Sequence, residues 1–471
     1  MTTAPSLPLD ALAQRLRPLL AEGREAASRG WAVLVSVTSP APSLDAVPLF
    51  EGATGERFLW EHPSEWFSLV GVGVAARIAA QGPDRFPLVA QRWRELAARA
   101  VTETLGPLPF STPIAVGGFT FDPNRERGRE WESFPDALLL VPRFLFASDA
   151  DSSWLTVSAV ATPECRPGDV AASLSAELRE ILRGGTRVHE EAPWGEVTLE
   201  DEVGPGRWRA AVGGALREIR DGTIEKVVLA RRVTARGERP IDAAAALRRL
   251  REGYPQCTVF AFARGDACFL GATPERLVRL EGRAVRAGPL AGSAARGATE
   301  DEDRRLGDAL LANGKERHEH GLVVRAFRDA LAPLCVRLSV PETPAILRMP
   351  NVQHLHTPIE GTLGGAASIL ELVGRLHPTP AAGGLPRDAA LSFIRRYESF
   401  DRGWYAGPVG WVDGRGDGEF AVAIRSALLR GNEALLYAGC GIVAGSEPER
   451  EYAESCLKLR PMLWALNGGP T

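Results

Sequence analysis

"CTVFAFARGDACFLGATPERLVRLEGRAVRAGPL", residues 257–290, is the stretch on which the fold turns. Its short apolar runs, rich in Phe, Val and Leu, are broken at "RGD" (264–266) and "EGR" (281–283). A glycine at each break suits the positive φ of a tight hairpin turn. The pattern predicts successive antiparallel strands. Inside it, "GATPERL" (271–277) sets Pro274 after Thr273. Proline restricts the residue before it to extended backbone and has no N–H to give a ladder. A strand that kinks at its end and turns Glu275 into a cleft fits this motif. A turn carrying a surface glutamate fits it too.

Working outward, residues 31–160 read mostly as strands: "WAVLVSV", "RFLWEHP", "WFSLVGVGVA", "ALLLVPRFLF" and "SWLTVSAV". Helical spacing predicts a surface helix over 8–29, a long helix over 89–104 and another near 170–183. "GGTRVHEEAPWGEV" marks a soft boundary around 185–205. It divides an N-terminal portion, 1–200, from a second portion, 201–471. The second portion continues with a helix leading to "KVVLARRV" (226–233), the hairpins already quoted and one long amphipathic helix over 301–332. A strand near 345–350 follows, then helices near 367–376 and 387–397. The strands "GPVGWVD", "EFAVAIRSALL" and "EALLYAGCGIV" come next, with a last helix from about 448. Strands and helices occur in clusters, which predicts an α+β fold rather than regular βαβ winding.

The chain has 471 residues, of which 45% are hydrophobic and 24% charged, with a net charge of −4. That suffices for a large core. No basic block offers a nucleic-acid footprint. No run of 18 apolar residues suggests a membrane span, and the N-terminus lacks the form of a signal peptide, so the cytoplasm is expected. Cys165, Cys257, Cys268, Cys335, Cys440 and Cys456 form no CxxC pair and read as buried free thiols in a reducing compartment. "GVGVAA" (Gly71, Gly73, Ala76) imitates a dinucleotide fingerprint, but the helix it would open is very short. Glycines allowing close strand packing explain it better.

Several charged residues sit where water would not be expected. Lys226 opens an apolar strand, either as a solvated strand end or as an amine aimed into a site. Arg425 stands in the middle of the apolar run "FAVAIRSALL". A buried arginine calls for an anionic partner, and its planar fork suits a carboxylate; that anion could belong to a ligand or to a structural ion pair. "YAGCGIVAGSEPE" (437–449) joins a strand to the last helix through Gly439, Gly441 and Gly445 and can offer backbone N–H groups to an anion. Glu316 and Glu319 are spaced i,i+3 on one helix, as are Glu451 and Glu454 on another, with Lys458 four residues beyond Glu454. Such faces also arise as solvated salt-bridge patterns. Two acidic faces of this kind suit Mg²⁺, which prefers a few carboxylates and keeps water. His318 and His320 point to different helix faces, against a zinc site. Together these groups suggest a small di-anionic ligand.

These motifs, in this order, resemble the chorismate-utilising enzymes. The resemblance covers roughly 203–464 and runs through "KVVLAR", "GATPERL", "PLAGSAARG", "KERHEHGLVV", "VQHL", "HPTPAAGGLPR", "WYAGPVGW", "AIRSA" and "YAGCGIVAGSEPEREYAESCLK". "FLWEHP", "GGFTFDP" and "ALLLVPRFLF" extend it weakly into the N-terminal portion, which is expected to complete the fold. The resemblance implies a pair of large antiparallel sheets flanked by helices around one deep site, the fold of anthranilate synthase component I. Within the group the chain looks like the isochorismate synthases. The relatives that use ammonia typically lack a lysine where Lys226 stands. The related lyases usually have threonine where Ala381 stands.

The resemblance further implies that Lys226 is the general base for water attack at C2 of chorismate, and that Glu275 is the general acid for the departing C4 hydroxyl. It places Glu319 and Glu454 on Mg²⁺, with Glu451 holding a metal-bound water. Gly292, Ser293, His354, Ala381, Arg425, Gly439 and Lys458 would contact substrate. Ser293 stands where many members have threonine and keeps the hydroxyl. No glutaminase subunit is expected. The long N-terminal half and "GLPRD" favour menaquinone synthesis, with a siderophore-pathway isochorismate synthase or a salicylate synthase as alternatives.

Overall fold

The computed structural model describes residues 9–28, 30–107, 110, 112–185 and 194–468. Its framework is an extensive branched antiparallel sheet. The long strands Phe67–Ala80 and Ala137–Ser148 pair with each other, and two limbs grow from them. One limb runs from Phe67–Ala80 through Arg57–His62, Thr258–Arg264, Ala267–Thr273, Ser426–Arg430 and Glu433–Ile442 to Lys226–Arg236. The other runs from Ala137–Ser148 through Ile114–Phe119, Pro408–Asp413, Gly418–Val422, Arg276–Glu281 and Ala284–Ala287 to Ile359–Leu363. These limbs are the expected pair of large sheets. A separate three-stranded sheet joins Leu290–Ala295, Val352–His356 and Ala345–Arg348.

Strand alternation explains how the limbs are buried on both faces. In Thr258–Arg264, Phe260 and Phe262 enter one core while Val259 and Ala261 enter a second. Side chains on a strand point alternately to opposite faces, so a continuous apolar run serves two cores at once. Trp60, Trp131, Phe134, Phe269 and Trp404 fill the first core, between the limbs. The second lies under the outer helices: Leu12, Leu16 and Leu20 of Leu9–Ala27 form a four-residue-spaced stripe packed with Leu174 and Leu178 of Pro167–Gly184. Each such side chain contributes ~1.5–3 kcal/mol on full burial.

The hairpin turns read from the opening stretch are present, with Gly265 at φ 59° and Gly282 at φ 60°. Four expectations need correction. The single helix over 301–332 is two helices, Glu300–Ala312 and Gly314–Leu331. Asn313 breaks it with ψ 115°, and its side chain accepts the N–H groups of Lys315 and Glu316; asparagine favours such a cap over a helix interior. The helix expected over 89–104 spans Arg85–Ala98. Val101–Thr104 is instead a strand, pairing in parallel with Val33–Pro40. The strand expected over 419–429 is broken between Val422 and Ser426, and Arg425 lies in that break. Finally, the six cysteines are free, but Cys456 is exposed while Cys257 and Cys440 are buried.

"GVGVAA" lies within the single strand Phe67–Ala80 and opens no helix. A Cβ on Gly71 would come 2.7 Å from the Pro142 ring, so close strand packing accounts for that glycine. Residues 8 and 29, at the ends of the first expected helix, lie outside the described residues. So does 186–193, within the boundary expected at 185–205. Strands from the two sides of that boundary pair directly, as Arg57–His62 does with Thr258–Arg264 and Ile114–Phe119 with Pro408–Asp413. Among the described residues no helix is long and apolar enough to cross a membrane.

Candidate active site

Two of the chain's crossings between the limbs lie side by side, and each carries a charged group. Thr273 ends the first limb's strand and Arg276 begins the second's, with Pro274 and Glu275 between. Val422 ends a second-limb strand and Ser426 begins one of the first limb, with Arg425 between. The crossings are laced together. Thr273 Oγ1 donates to the Val422 carbonyl at 2.6 Å, Val422 N–H to the Glu275 carbonyl at 3.0 Å, and Ala272 N–H to the Arg425 carbonyl at 3.1 Å. Arg425 holds φ 52°, a left-handed conformation rare for a side-chain-bearing residue and seen where surrounding structure over-determines it.

Both side chains enter one cavity between the limbs and the three-stranded sheet. Lys226, Glu275, Gly292, Ser293, Glu319, His354, Ala381, Arg425, Gly439, Glu454 and Lys458 all line it. Of the residues expected at the site, Glu451 alone lies outside that wall. It lines an adjoining vestibule of about 430 Å³ whose lining shares Ser293, Glu316, Glu454 and Lys458 with the cavity. Sequence reasoning passed over Tyr405 and Arg402, which also line the cavity, named Gly441 only as part of an anion-holding loop, and gave no role to Lys315. The "GCG" spacing was the available signal for Gly441. A Cβ there would fall 2.1 Å from Glu319 Oε1 and 2.9 Å from Lys226 Cε.

Lys226 is 1% exposed, and its Nζ lies 2.8 Å from Glu319 Oε1. Of the two readings of Lys226, the amine aimed into a site is the one the structure has, and its ion-pair partner is a carboxylate. Glu275 is 3% exposed, and its Oε1 has no hydrogen-bond partner among the described residues. Burial pushes its carboxyl up to about 7, against the pull of Lys226, Arg425 and Lys458. Arg425 reaches His354 Nε2 at 3.5 Å, and among the described residues no carboxylate pairs with it. Burial first, then Arg425 and Lys458, pull the His354 imidazole down to about 3, so it is neutral. Its Nδ1 lies 3.0 Å from Ser293 Oγ. Gly292 takes φ 76°, which aids the register shift that brings Ser293 opposite His354.

The acidic faces meet on the helices Gly314–Leu331 and Pro448–Asn467. Burial and then the neighbouring Glu319 raise the Glu316 carboxyl. Burial also raises Glu451, although Lys315 opposes it. Burial acts against ionised Glu454 too, but Lys458 Nζ at 2.6 Å outweighs it and holds that carboxyl low. Lys458 also donates to the Gly439 carbonyl at 2.9 Å. So the Gly439 segment offers this lysine a carbonyl, whereas the sequence suggested N–H groups for an anion. Ligand atoms of Cys440, Glu451 and Glu454 lie within 4.8 Å of one another, close enough to share an ion. The Cys440 thiol is a soft group already donating to the Glu451 carbonyl at 3.2 Å, so the carboxylates are the donors left for an ion; a hard oxygen set of this kind fits Mg²⁺. His320, by contrast, is buried and bonded through Nε2 to Thr357 Oγ1 at 2.8 Å.

The family described as chorismate binding enzyme matches residues 21–467. The salicylate biosynthesis isochorismate synthase of Pseudomonas aeruginosa is 41% identical over 92% of this chain and 90% of its own. The isochorismate synthase MenF of Bacillus subtilis is 37% identical over 93% and 94% respectively. Among solved structures, MenF, the menaquinone-specific isochorismate synthase of Escherichia coli, superposes with a TM-score of 0.78 at 27% identity, covering 95% of this chain and 100% of that one. Anthranilate synthase component I of Streptococcus pneumoniae shares the fold, with a TM-score of 0.70 at 23% identity over 84% and 92%. With nearly its whole length matched, the chain belongs to the chorismate-binding enzyme family.

Proposed function

We propose that this protein is an isochorismate synthase, converting chorismate to isochorismate by adding water at C2 and expelling the C4 hydroxyl. The observation that carries the reading is a buried carboxyl near neutrality, Glu275, sharing one cavity with a buried lysine, Lys226. Water is a poor nucleophile and hydroxide a poor leaving group, so each needs a positioned proton partner. Glu275 holds its proton because its site is dry, and gives it to the departing oxygen. Lys226 Nζ takes the proton of the attacking water. A lysine is a base only when neutral, so its pairing with Glu319 must be surrendered in the working complex. Water enters and water leaves, so the substrate balances as an isomerisation, and the proton gained by Lys226 returns through solvent to Glu275 before the next turnover.

Arg425, which has no carboxylate partner among the described residues, and Lys458 bind the substrate carboxylates; Ser293 and neutral His354 position the ring substituents. Gly292, Gly439 and Ala381 leave room for the substrate. Mg²⁺ held by Glu319 and Glu454, with Glu451 behind them, would neutralise one substrate carboxylate. Because water is the nucleophile, no glutaminase partner is required. We place the enzyme in the cytoplasm and its product in menaquinone synthesis, on the length of the N-terminal half and "GLPRD". The 41% identity to the salicylate-biosynthesis relative favours supply of a salicylate-type siderophore as the second reading. Menaquinone content and iron-limited growth of a deletion strain separate the two.

The decisive experiment is product analysis. Chorismate should give isochorismate in equilibrium with substrate and no stoichiometric pyruvate, and Lys226→Ala should lower kcat at least ~10²-fold. Salicylate plus pyruvate from the wild-type enzyme alone would refute the synthase reading.

A further inference from the structure

Lys315 is a charged group beside the cavity that the mechanism above does not use. It sits in the first turn of Gly314–Leu331, directly after the break at Asn313. Its Nζ lies 2.8 Å from Glu451 Oε1 and 3.4 Å from Glu316 Oε1. With it, each of the three carboxylates assigned to the metal has a lysine of its own. Glu319 pairs with Lys226 at 2.8 Å, Glu454 with Lys458 at 2.6 Å, and Glu451 with Lys315. Two of these lysines have work at the reacting centre. The third faces the vestibule.

The pairing has a physical cause. Glu316, Glu319, Glu451 and Glu454 come from two facing helices and are mostly buried, so their like charges need compensation. An ammonium supplies it when no divalent ion is bound. An ammonium and a divalent cation compete for the same carboxylate oxygens, and a charge held a few ångströms from an incoming cation repels it. The Lys315 side chain is 27% exposed and borders the vestibule of about 430 Å³, so it can swing into water without leaving a buried charge.

We infer that Lys315 is a built-in counter-ion that occupies the outer carboxylates of the metal site and yields them to the incoming divalent cation, thereby setting the cation's affinity. This rests on the assignment of Glu319, Glu451 and Glu454 to the metal made under the proposed function. Lys315 is a positioning residue. It tunes the affinity of the site for the ion and takes no proton in the reaction.

The test is Mg²⁺ binding to the full-length protein by titration calorimetry at pH 8, without substrate. Lys315→Gln should bind Mg²⁺ about tenfold more tightly than wild type, a difference of about 1.4 kcal/mol. Lys315→Arg keeps the charge and should stay within about threefold of wild type. In the unaltered protein, saturating Mg²⁺ should raise acetylation of Lys315, read by mass spectrometry, several-fold. That measurement stands even if Lys315→Gln folds poorly. Equal or weaker Mg²⁺ binding by a folded Lys315→Gln, or Lys315 labelling unchanged by Mg²⁺, would overturn the inference while leaving the metal site intact. Wild type that binds no Mg²⁺, with Glu454→Gln behaving identically, would overturn the metal assignment and the inference with it.

Discussion

Replacing Glu275 with glutamine should make the protein a worse enzyme and, at alkaline pH only, a more stable one. Folding raises this carboxyl from 4.5 to about 7, chiefly because burial disfavours the charged form. The folded state therefore holds the proton more tightly than the unfolded state. The group's stability contribution is fully present below about 4.5 and is lost as pH rises through about 7. At about 1.4 kcal/mol per pH unit, the charged folded form carries a penalty of about 3 kcal/mol at pH 8 and less than about 1 kcal/mol at pH 5. Glutamine never ionises, so Glu275→Gln removes the penalty. Its own buried amide costs ~1–3 kcal/mol, but equally at both pH values, and cancels in the comparison. At ~2.1 cal/mol/K per residue, a chain of this length gains about 1 °C per kcal/mol. The change in Tm caused by Glu275→Gln should thus be about 2–3 °C more favourable at pH 8 than at pH 5, measured by scanning calorimetry. The same variant should lose ~10²–10⁴-fold in kcat, the range for a general acid. Wild-type activity should fall as pH rises past about 7, where Glu275 loses its proton. An identical change in Tm at both pH values would refute the buried-carboxyl argument, and undiminished turnover would refute the role as acid.

Chelation with EDTA should abolish turnover and Mg²⁺ restore it, and Glu319→Gln and Glu454→Gln should each weaken Mg²⁺-dependent activity severely; full activity in metal-free buffer would contradict this. Arg425→Ala should raise KM for chorismate and lower kcat, a loss of ~2–5 kcal/mol if the guanidinium pairs with a buried substrate carboxylate. A thermal melt of that variant separates this from misfolding, and unchanged kinetics would reduce Arg425 to a structural role. Gly441→Ala puts a methyl 2.1 Å from Glu319 Oε1 and should force Glu319 and Lys226 apart. Misplacement on the scale of 1 Å costs ~10²-fold in kcat, so steady-state activity near wild type would show that the pair's position is not critical.

Local chemistry let much of this protein be read from its sequence. The hairpins at Gly265 and Gly282, the buried stripe at Leu12, Leu16 and Leu20, and the last helix from Pro448 follow from turn residues and periodicity, which depend only on near neighbours in the chain. The ordered motifs named most of the cavity's lining in advance because the resemblance placed them residue by residue. Tertiary packing decided the rest. Periodicity runs smoothly through Asn313 and through "FAVAIRSALL", so it could not show a helix broken by an asparagine cap or a strand broken at Arg425 to cross between limbs. Nor could it show that Lys226 would face a carboxylate, or that Lys315 would close on Glu451, 136 residues away. Those pairings bring together side chains from separate elements. Their distances and dryness exist only once the two limbs and the two acidic helices have packed around one cavity, and that packing gives Glu275 its proton.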